Sequence, residues 1–561
     1  VHKLGAMAAL LHMQTYPGAT IYSAFEKVAQ EHPGRIAFKA EGGRGRSYTY
    51  GEVCTIVEQL SLGLSHPEYT KKAEIGILSE NRPEWGIAYL AILAARKTVV
   101  PIDANLKGDE VSFIIDNAGL DVIFASGRFE DLLKKLRPDM RILSFEDDSP
   151  NSWIRLTDAQ DQAQKNRISK TAVLIYTSGT TGRPKAVELT HENILANLEG
   201  IESGLKFDHN DTFLSVLPLH HTFEATCGFL IPLMSGATIV YARSLKSRDI
   251  LEDIAFNGVT LMCGVPLLFE KMHHSIQRGI ASAPLGRRLA FRLLYLLSTV
   301  GWSLGQRWGK PLFRSLRNKA GMASIRMFVS GGAALPPKIA RFFNLIGFDF
   351  CQGYGMTECS PVISVNRPDN VKFGSVGSPL ENIEVRIHNP DRSGIGEILV
   401  KGDNVTPGYR DNSEKTVELI IDGWLHTGDL GKLKDGHLWI TGRKKNIIIS
   451  AAGKNIYPEE LEERLLESSC ILEVVVIGRK KQNKQGEEVR ALVVLDLKQM
   501  EAEFGISAES PDMERIRGVI SAVVKDVNAH VADYKRIAGF DVQLEELEKT
   551  STKKVKRFLY R

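Results

Sequence analysis

The chain has 561 residues, 43% of them apolar and 25% charged, with a formal net charge of +4. That length exceeds one ordinary core and predicts two or more domains, and so small a charge gives no ground for nucleic-acid binding. The six cysteines show no CxxC or CxxH spacing, which argues against a zinc cluster or a disulfide framework and fits a reducing cytosol. Residues 1–30 lack the succession of basic start, apolar run and small-residue cleavage site, so no signal peptide is expected. No run reaches the roughly 18 apolar residues that a membrane span needs.

In chain order, Ala73–Leu78 and Thr98–Pro101 read as strands flanking a helix at Pro83–Arg96. Val122–Ala125, Thr171–Tyr176, Thr238–Val240 and Ile325–Val329 read as further strands. Short apolar runs alternating with helices of about a dozen residues predict α/β layers with largely parallel sheets. From about Gly396 the texture changes to short strands with Gly and Asp turns, at Gly396–Lys401, Gly436–Ile440 and Asn446–Ile449. The last segment has its own strands at Leu472–Ile477 and Arg490–Leu495, which puts a domain boundary near Gly442–Lys445.

The sharpest feature is Tyr176-Thr-Ser-Gly-Thr-Thr-Gly-Arg-Pro-Lys185, directly after a strand. Gly179 and Gly182 let the backbone turn tightly and bring N–H groups close to an anion. Thr177, Ser178, Thr180 and Thr181 add hydroxyl donors, and Lys185 adds a positive charge. Such a loop suits the β- and γ-phosphates of a nucleotide, although no Gly-Lys-Ser/Thr of the Walker type opens a helix. It resembles the signature of the acyl-adenylate-forming enzymes, a family that includes acyl-CoA synthetases, firefly luciferase and peptide-synthetase adenylation domains. Ala186 stands where that family usually has glycine.

Further segments carry the resemblance over nearly the whole chain. Gly353-Tyr354-Gly355-Met-Thr357-Glu358 follows the strand-like Phe348–Cys351, and the resemblance implies a tyrosine against adenine and a glutamate helping to hold magnesium, with Thr177. A carboxylate is a hard oxygen ligand of the kind magnesium prefers beside phosphates. Ser330-Gly331-Gly332-Ala333-Ala334 resembles the turn that lines adenine and the acyl group. Trp424-Leu-His-Thr-Gly-Asp429 resembles the ribose motif, where two carboxylate oxygens match the two donors of a diol, and Arg443 is implied as a second ribose contact. Leu217-Pro-Leu-His-His-Thr-Phe-Glu224 resembles the acyl-pocket wall, with His221 and Glu224 at the family's positions. Lys554, in Lys549-Thr-Ser-Thr-Lys-Lys554, matches the catalytic lysine, although Lys553 stands where glycine is usual.

The resemblance implies a large N-terminal domain over residues 1–442, made of layered α/β subdomains with a small barrel-like part. A hinge at 443–445, with Lys445 as its pivot, leads to a small mobile α+β domain over 446–561. Lys554 is then expected to bridge the acid and the α-phosphate, with Lys185 and the loop clamping the other phosphates. The implied activity is ATP- and magnesium-dependent activation of a medium- or long-chain fatty acid to its adenylate, followed by transfer to coenzyme A. An acyl carrier protein as acceptor, or a non-catalytic adenylate-binding protein, are the alternatives. From Lys271 to Phe348 there is no Asp or Glu, and Arg287–Ala320 mixes Leu, Phe and Trp with Arg and Lys. That pattern reads either as a basic amphipathic membrane-surface segment or as a helix packed on the core. The expected location is cytoplasmic, peripheral on the inner face of a membrane.

Overall fold

A computed structural model of the chain describes residues 16, 18–66, 72–146, 148, 152–158, 169–177, 184–450, 453–480, 486–507, 509–549 and 555–560. The chain falls into two compact units, one of 1–385 with 400–425 and one of 386–399 with 426–561.

The first unit is built on two large sheets. The nine-stranded sheet runs Ser378–Pro379, Val362–Val365, Asp349–Gly355, Met327–Ser330, Leu261–Gly264, Thr212–Ser215, Thr238–Tyr241, Ile36–Lys39, Ser47–Thr49. Its centre is parallel, from Asp349–Gly355 through to Ile36–Lys39. The seven-stranded sheet runs Gly408–Tyr409, Lys185–Thr190, Thr171–Thr177, Thr98–Ile102, Glu74–Leu78, Val122–Ala125, Arg141–Ser144. Its last five strands are parallel. Val, Ile and Leu dominate the parallel strands of the seven-stranded sheet, and Phe, Met and Cys join them in the nine-stranded one; most are buried, as parallel sheets covered on both faces require. The layered α/β architecture read from the alternation of strands and helices is present.

Helix ends obey local chemistry. Thr20, Thr49 and Thr190 each cap a helix, the side chain accepting from the backbone N–H of the third helical residue and the threonine's own N–H donating to that residue's side chain. The helix Pro83–Ala94 starts on a proline and is buried along nearly its whole length, so no amphipathic stripe marks it.

In the second unit, most residues of a five-stranded sheet (Ile383–His388, Gly396–Gly402, Trp424–Lys434, Ile420–Ile421, His437–Arg443) form the barrel-like part. A three-stranded sheet comes next in the chain, Ile471–Lys480, Glu487–Leu495 and Gly539–Gln543, covered by helices Pro458–Leu465 and Met513–Ala529 around a core of its own. The division of the chain thus groups His437–Arg443 with the C-terminal residues 444–561, and the hinge expected at 443–445 falls within this unit. Of the strand expected at Asn446–Ile449, only Ile448–Ile449 is extended, because Lys444–Asn446 forms a single tight helical turn.

Candidate active site

The expected phosphate loop closes an antiparallel hairpin. Thr171–Thr177 pairs with Lys185–Thr190, and Thr177 stands opposite Lys185 at the mouth. Ser178, Gly179, Thr180, Thr181 and Gly182 lie outside the described residues; the two positions that bracket them are held in register by the sheet. Lys185 Nζ lies 4.9 Å from the centroid of the Tyr409 ring, a cation–π contact. The Tyr409 hydroxyl in turn donates to Glu358 Oε1 at 2.8 Å. Burial first, and then the neighbouring Glu358 charge, raise the phenol's pKa, so Tyr409 stays a donor. One aromatic ring therefore joins the lysine of the first motif to the glutamate of the second. Glu358 is buried.

Tyr409 was not legible as a site residue. It sits on Gly408–Tyr409, which pairs with the hairpin strand opposite Val187, and Arg410 beside it binds Glu188 at 3.0 Å and Glu74 at 2.6 Å. Only this pairing, across more than two hundred residues of chain, brings it to Lys185.

Gly353-Tyr354-Gly355 lies on the strand Asp349–Gly355 and not in a loop after it. The extension arises because Gly353–Gly355 pairs antiparallel with Val362–Val365. A Cβ on Gly355 would stand 1.9 Å from the Pro361 carbonyl oxygen, so only glycine permits that return. Tyr354 is half-buried. The turn bearing Thr357 and Glu358 is fixed from below by Asn197, a fully buried helical residue. Its amide donates to the Cys359 and Val362 carbonyls at 3.2 and 2.7 Å and accepts from Val362 N–H at 3.1 Å. Asn404 adds a bond to the Cys359 carbonyl at 2.9 Å.

The expected acyl wall meets this turn through Thr222 and Thr357, whose hydroxyls lie 3.2 Å apart. Asn81 holds the wall in place, donating to the Leu217 carbonyl at 2.6 Å and accepting from Leu219 N–H at 3.0 Å. His220 Nε2 lies 3.3 Å from Asp103 Oδ2, and the His220 and His221 ring centroids are 4.0 Å apart. Asp103 is itself oriented by Asn105, whose backbone and side-chain N–H groups both bind Oδ1. His221 is half-buried, whereas Glu224 opens a wide π-helical turn and is 1% exposed. Neither Glu224 oxygen has a hydrogen bond of normal geometry. Burial pushes its carboxyl up to about 8, with the nearby Ser215 hydroxyl opposing only in part. Glu224 is a neutral acid at pH 7. Gly331 lies against Phe223 of the same wall, and Gly332, at φ +83°, turns the chain beside Val265, leaving Ala333 exposed.

In the second unit Asp429 and Arg443 stand directly opposite on paired strands, and Arg443 Nε binds Asp429 Oδ1 at 2.8 Å. Thr427 Oγ accepts from Asp429 N–H and donates to the Ile398 carbonyl, which fixes the Asp429 backbone. Lys445 is exposed between two anchored neighbours, Lys444 on Glu397 at 2.9 Å and Asn446 on Glu459 at 2.7 Å. Lys554 lies outside the described residues. The residues around it are well anchored: Lys549 pairs antiparallel with Val555 and binds Glu473, and Arg557 binds Glu462.

Residues 25–410 match the family profile described as AMP-binding enzyme. The chain belongs to that family. Adenylate-forming ligase chemistry comes with the membership, and the resemblance read from the motifs holds. The long-chain-fatty-acid–CoA ligase FadD15 of Mycobacterium bovis is 31% identical over 556 residues, covering 91% of this chain and 89% of that one. O-succinylbenzoate CoA synthetase of Bacillus subtilis, solved with the acyl-adenylate intermediate, superimposes with a TM-score of 0.74 at 25% identity, over 96% and 97% of the two chains. The same enzyme solved with ATP and magnesium ion gives 0.73 at 25% identity, over 95% and 98%.

For an AMP-binding enzyme, the donors at Glu358 suit a hard cation. Oε1 is taken by Tyr409, while Oε2 accepts no hydrogen bond among the described residues. A carboxylate oxygen left open in this way, joined through Tyr409 to a phosphate-loop lysine, is the donor chemistry of a magnesium site shared with phosphates.

Proposed function

We infer that this AMP-binding enzyme activates a medium- or long-chain fatty acid with ATP and passes the acyl group to coenzyme A. The observation that carries the adenylation step is the Lys185–Tyr409–Glu358 contact, which couples a phosphate-loop cation to a buried carboxylate. The fatty-acyl substrate and the thiol are supported by the mycobacterial relative, whose name states both.

The obstacle to the first step is repulsion between a carboxylate and a polyanionic nucleotide. Magnesium, held at Glu358 with Thr177, supplies charge neutralisation between the phosphates when bound. Lys185 and the residues 178–182 clamp the β- and γ-phosphates. Tyr354 stacks on adenine beside Gly331–Ala333, and Asp429 with Arg443 takes the ribose hydroxyls. His221, Glu224 and Gly332 line the acyl chain, and a neutral Glu224 lets that lining stay apolar. The role assigned to Lys554 is to bridge the carboxylate and the α-phosphate. A carboxylate oxygen attacks the α-phosphorus, the bond to the β-phosphate bridging oxygen breaks, and pyrophosphate leaves with that electron pair. The coenzyme A sulfur then attacks the acyl carbon and AMP departs. Rotation about Lys445 between residues 1–442 and 446–561 takes Lys554 away and admits the thiol. The proposed location is cytoplasmic, at the inner face of a membrane.

The test is magnesium- and ATP-dependent pyrophosphate release with acids from acetate to stearate, each with coenzyme A, acyl carrier protein or neither. Release that peaks on C12–C18 acids and yields acyl-CoA is expected. Turnover with carrier protein alone reassigns the acceptor, and no release with any acid overturns the reading.

A further inference from the structure

The helix Leu285–Ser303 has two apolar faces, one packed on the core and one exposed. Phe291, Leu294 and Tyr295 pack inward on the core that contains Phe313 and Phe342. Ser298 seals that face by donating to the Leu345 carbonyl at 2.7 Å. The opposite face is a continuous stripe at spacings of three and four residues: Leu285 (67% exposed), Leu289 (54%), Leu293 (58%), Leu296 (60%), Val300 (44%) and, one residue past the helix, Leu304 (63%). At about 1.5 Å per residue the helix is some 28 Å long. An unbroken apolar stripe of that length on an otherwise solvated surface marks an interaction site.

Charge identifies what covers it. Helical spacing puts the exposed Arg292 on the flank of the stripe, with the partly exposed Arg288 one turn before it; Arg287 and, on the preceding helix, Arg278 are exposed nearby in the chain, and no ion pair of these four is found among the described residues. No acidic residue lies between Lys271 and Phe348 to balance them. Lysine and arginine around a leucine stripe on a surface helix is the pattern of a helix that lies in the plane of an anionic bilayer. None of the described helices is long and apolar enough to cross one.

The chain leads to this helix from the Gly331–Ala333 turn's neighbour Val265. The helix preceding it, Pro266–Ala281, begins one residue after Val265, which faces Gly332. We propose that the helix Leu285–Ser303 seats this enzyme on an anionic membrane, its leucines among the acyl chains and its arginines on headgroup phosphates. A fatty acid dissolved in that bilayer then enters beside the turn that lines the acyl group. The entry step rests on the fatty-acyl reading above; the docking surface does not.

The experiment floats the full chain with phosphatidylcholine vesicles and with vesicles containing 30% phosphatidylglycerol, over a range of NaCl. Wild-type protein is expected on the anionic vesicles at least tenfold more than on the neutral ones, with release as salt rises. The L289E/L293E/L296E variant changes only exposed residues and should lose at least tenfold of that binding. Its acyl-CoA formation from a monomeric C8 acid, assayed without vesicles, should be unchanged. Wild-type protein that stays off anionic vesicles at low salt overturns the proposal, and so does a variant that floats as well as wild type. A concentration-dependent dimer abolished by the variant, with no flotation, assigns the stripe to a second copy instead. Flotation together with no activity on any fatty acid leaves the docking surface standing and removes the fatty-acyl reading.

Discussion

Glu224 carries a proton at neutral pH because the fully buried carboxyl has no normal hydrogen bond to stabilise its charge. The folded chain keeps that proton up to about pH 8, whereas the unfolded chain loses it near the ordinary value of 4.5. The folded state therefore binds more protons between these values, and this group makes stability fall as pH rises through the window, levelling off above it. Glu224→Gln keeps the shape and removes the titration. It is expected to match wild type near pH 4.5 and to exceed it by a few kcal/mol, on the order of 4, at pH 8. Denaturant unfolding across that range checks it, and parallel pH profiles for the two proteins refute it. Tyr409 poses a different question, since it touches both Lys185 and Glu358. Tyr409→Phe keeps the ring under Lys185 and removes the bond to Glu358. The expected result is roughly tenfold weaker dependence on magnesium with ATP affinity nearly kept, read by titrating magnesium in the pyrophosphate assay.

At the scale of elements, the glutamate turn and the described residues that flank the terminal lysine motif, Lys549 and Val555, are each held from behind. Asn197 reaches from the helix His191–Gly204 to three backbone groups of the segment 359–362. Asn197→Ala takes the acceptor from Val362 N–H and leaves the Cys359 and Val362 carbonyls to Asn404; at about 1–3 kcal/mol for a buried group left unmatched, thermal unfolding should show a clear loss of stability with slower adenylation. Retention of both would mean that the turn is set by its own strand pairing. The bridge between Lys549 and Val555 is tied down by Glu473 on one side and by Glu462 through Arg557 on the other. Removing the Glu473 anchor as Glu473→Ala should slow adenylation about tenfold while ATP binding by calorimetry stays within twofold. Lys554→Ala sets the limit for that series and is expected to abolish pyrophosphate release nearly completely.

Across the whole molecule, the proposed mechanism asks one position to absorb a large rotation. Lys445 lies exposed between Lys444 and Asn446, both bound to glutamates. An exposed position between two anchored neighbours can take up a change of backbone dihedrals while they hold, as a hinge requires. Lys445→Pro fixes φ and should reduce thioester formation at least tenfold more than adenylation, measured as separate half-reactions. An equal loss in both removes the hinge from this position.

The sequence by itself was enough for the layered α/β class and the family, because short apolar strands and phosphate-loop chemistry are local patterns. The cross-strand pairing of Asp429 with Arg443 was half-legible, since both belong to motifs while their register does not. Tertiary structure alone decided three things. It brought Tyr409 to Lys185 by strand pairing over a long chain separation, which no local pattern encodes. It buried Glu358 and Glu224, since burial depends on what packs over a residue and not on its neighbours in the chain. And it settled the apolar residues near Arg287 by sorting them around the helix: one face meets a core of phenylalanines from distant segments, and the other is exposed. Composition held both sets of leucines alike, and only the packed neighbours could tell them apart.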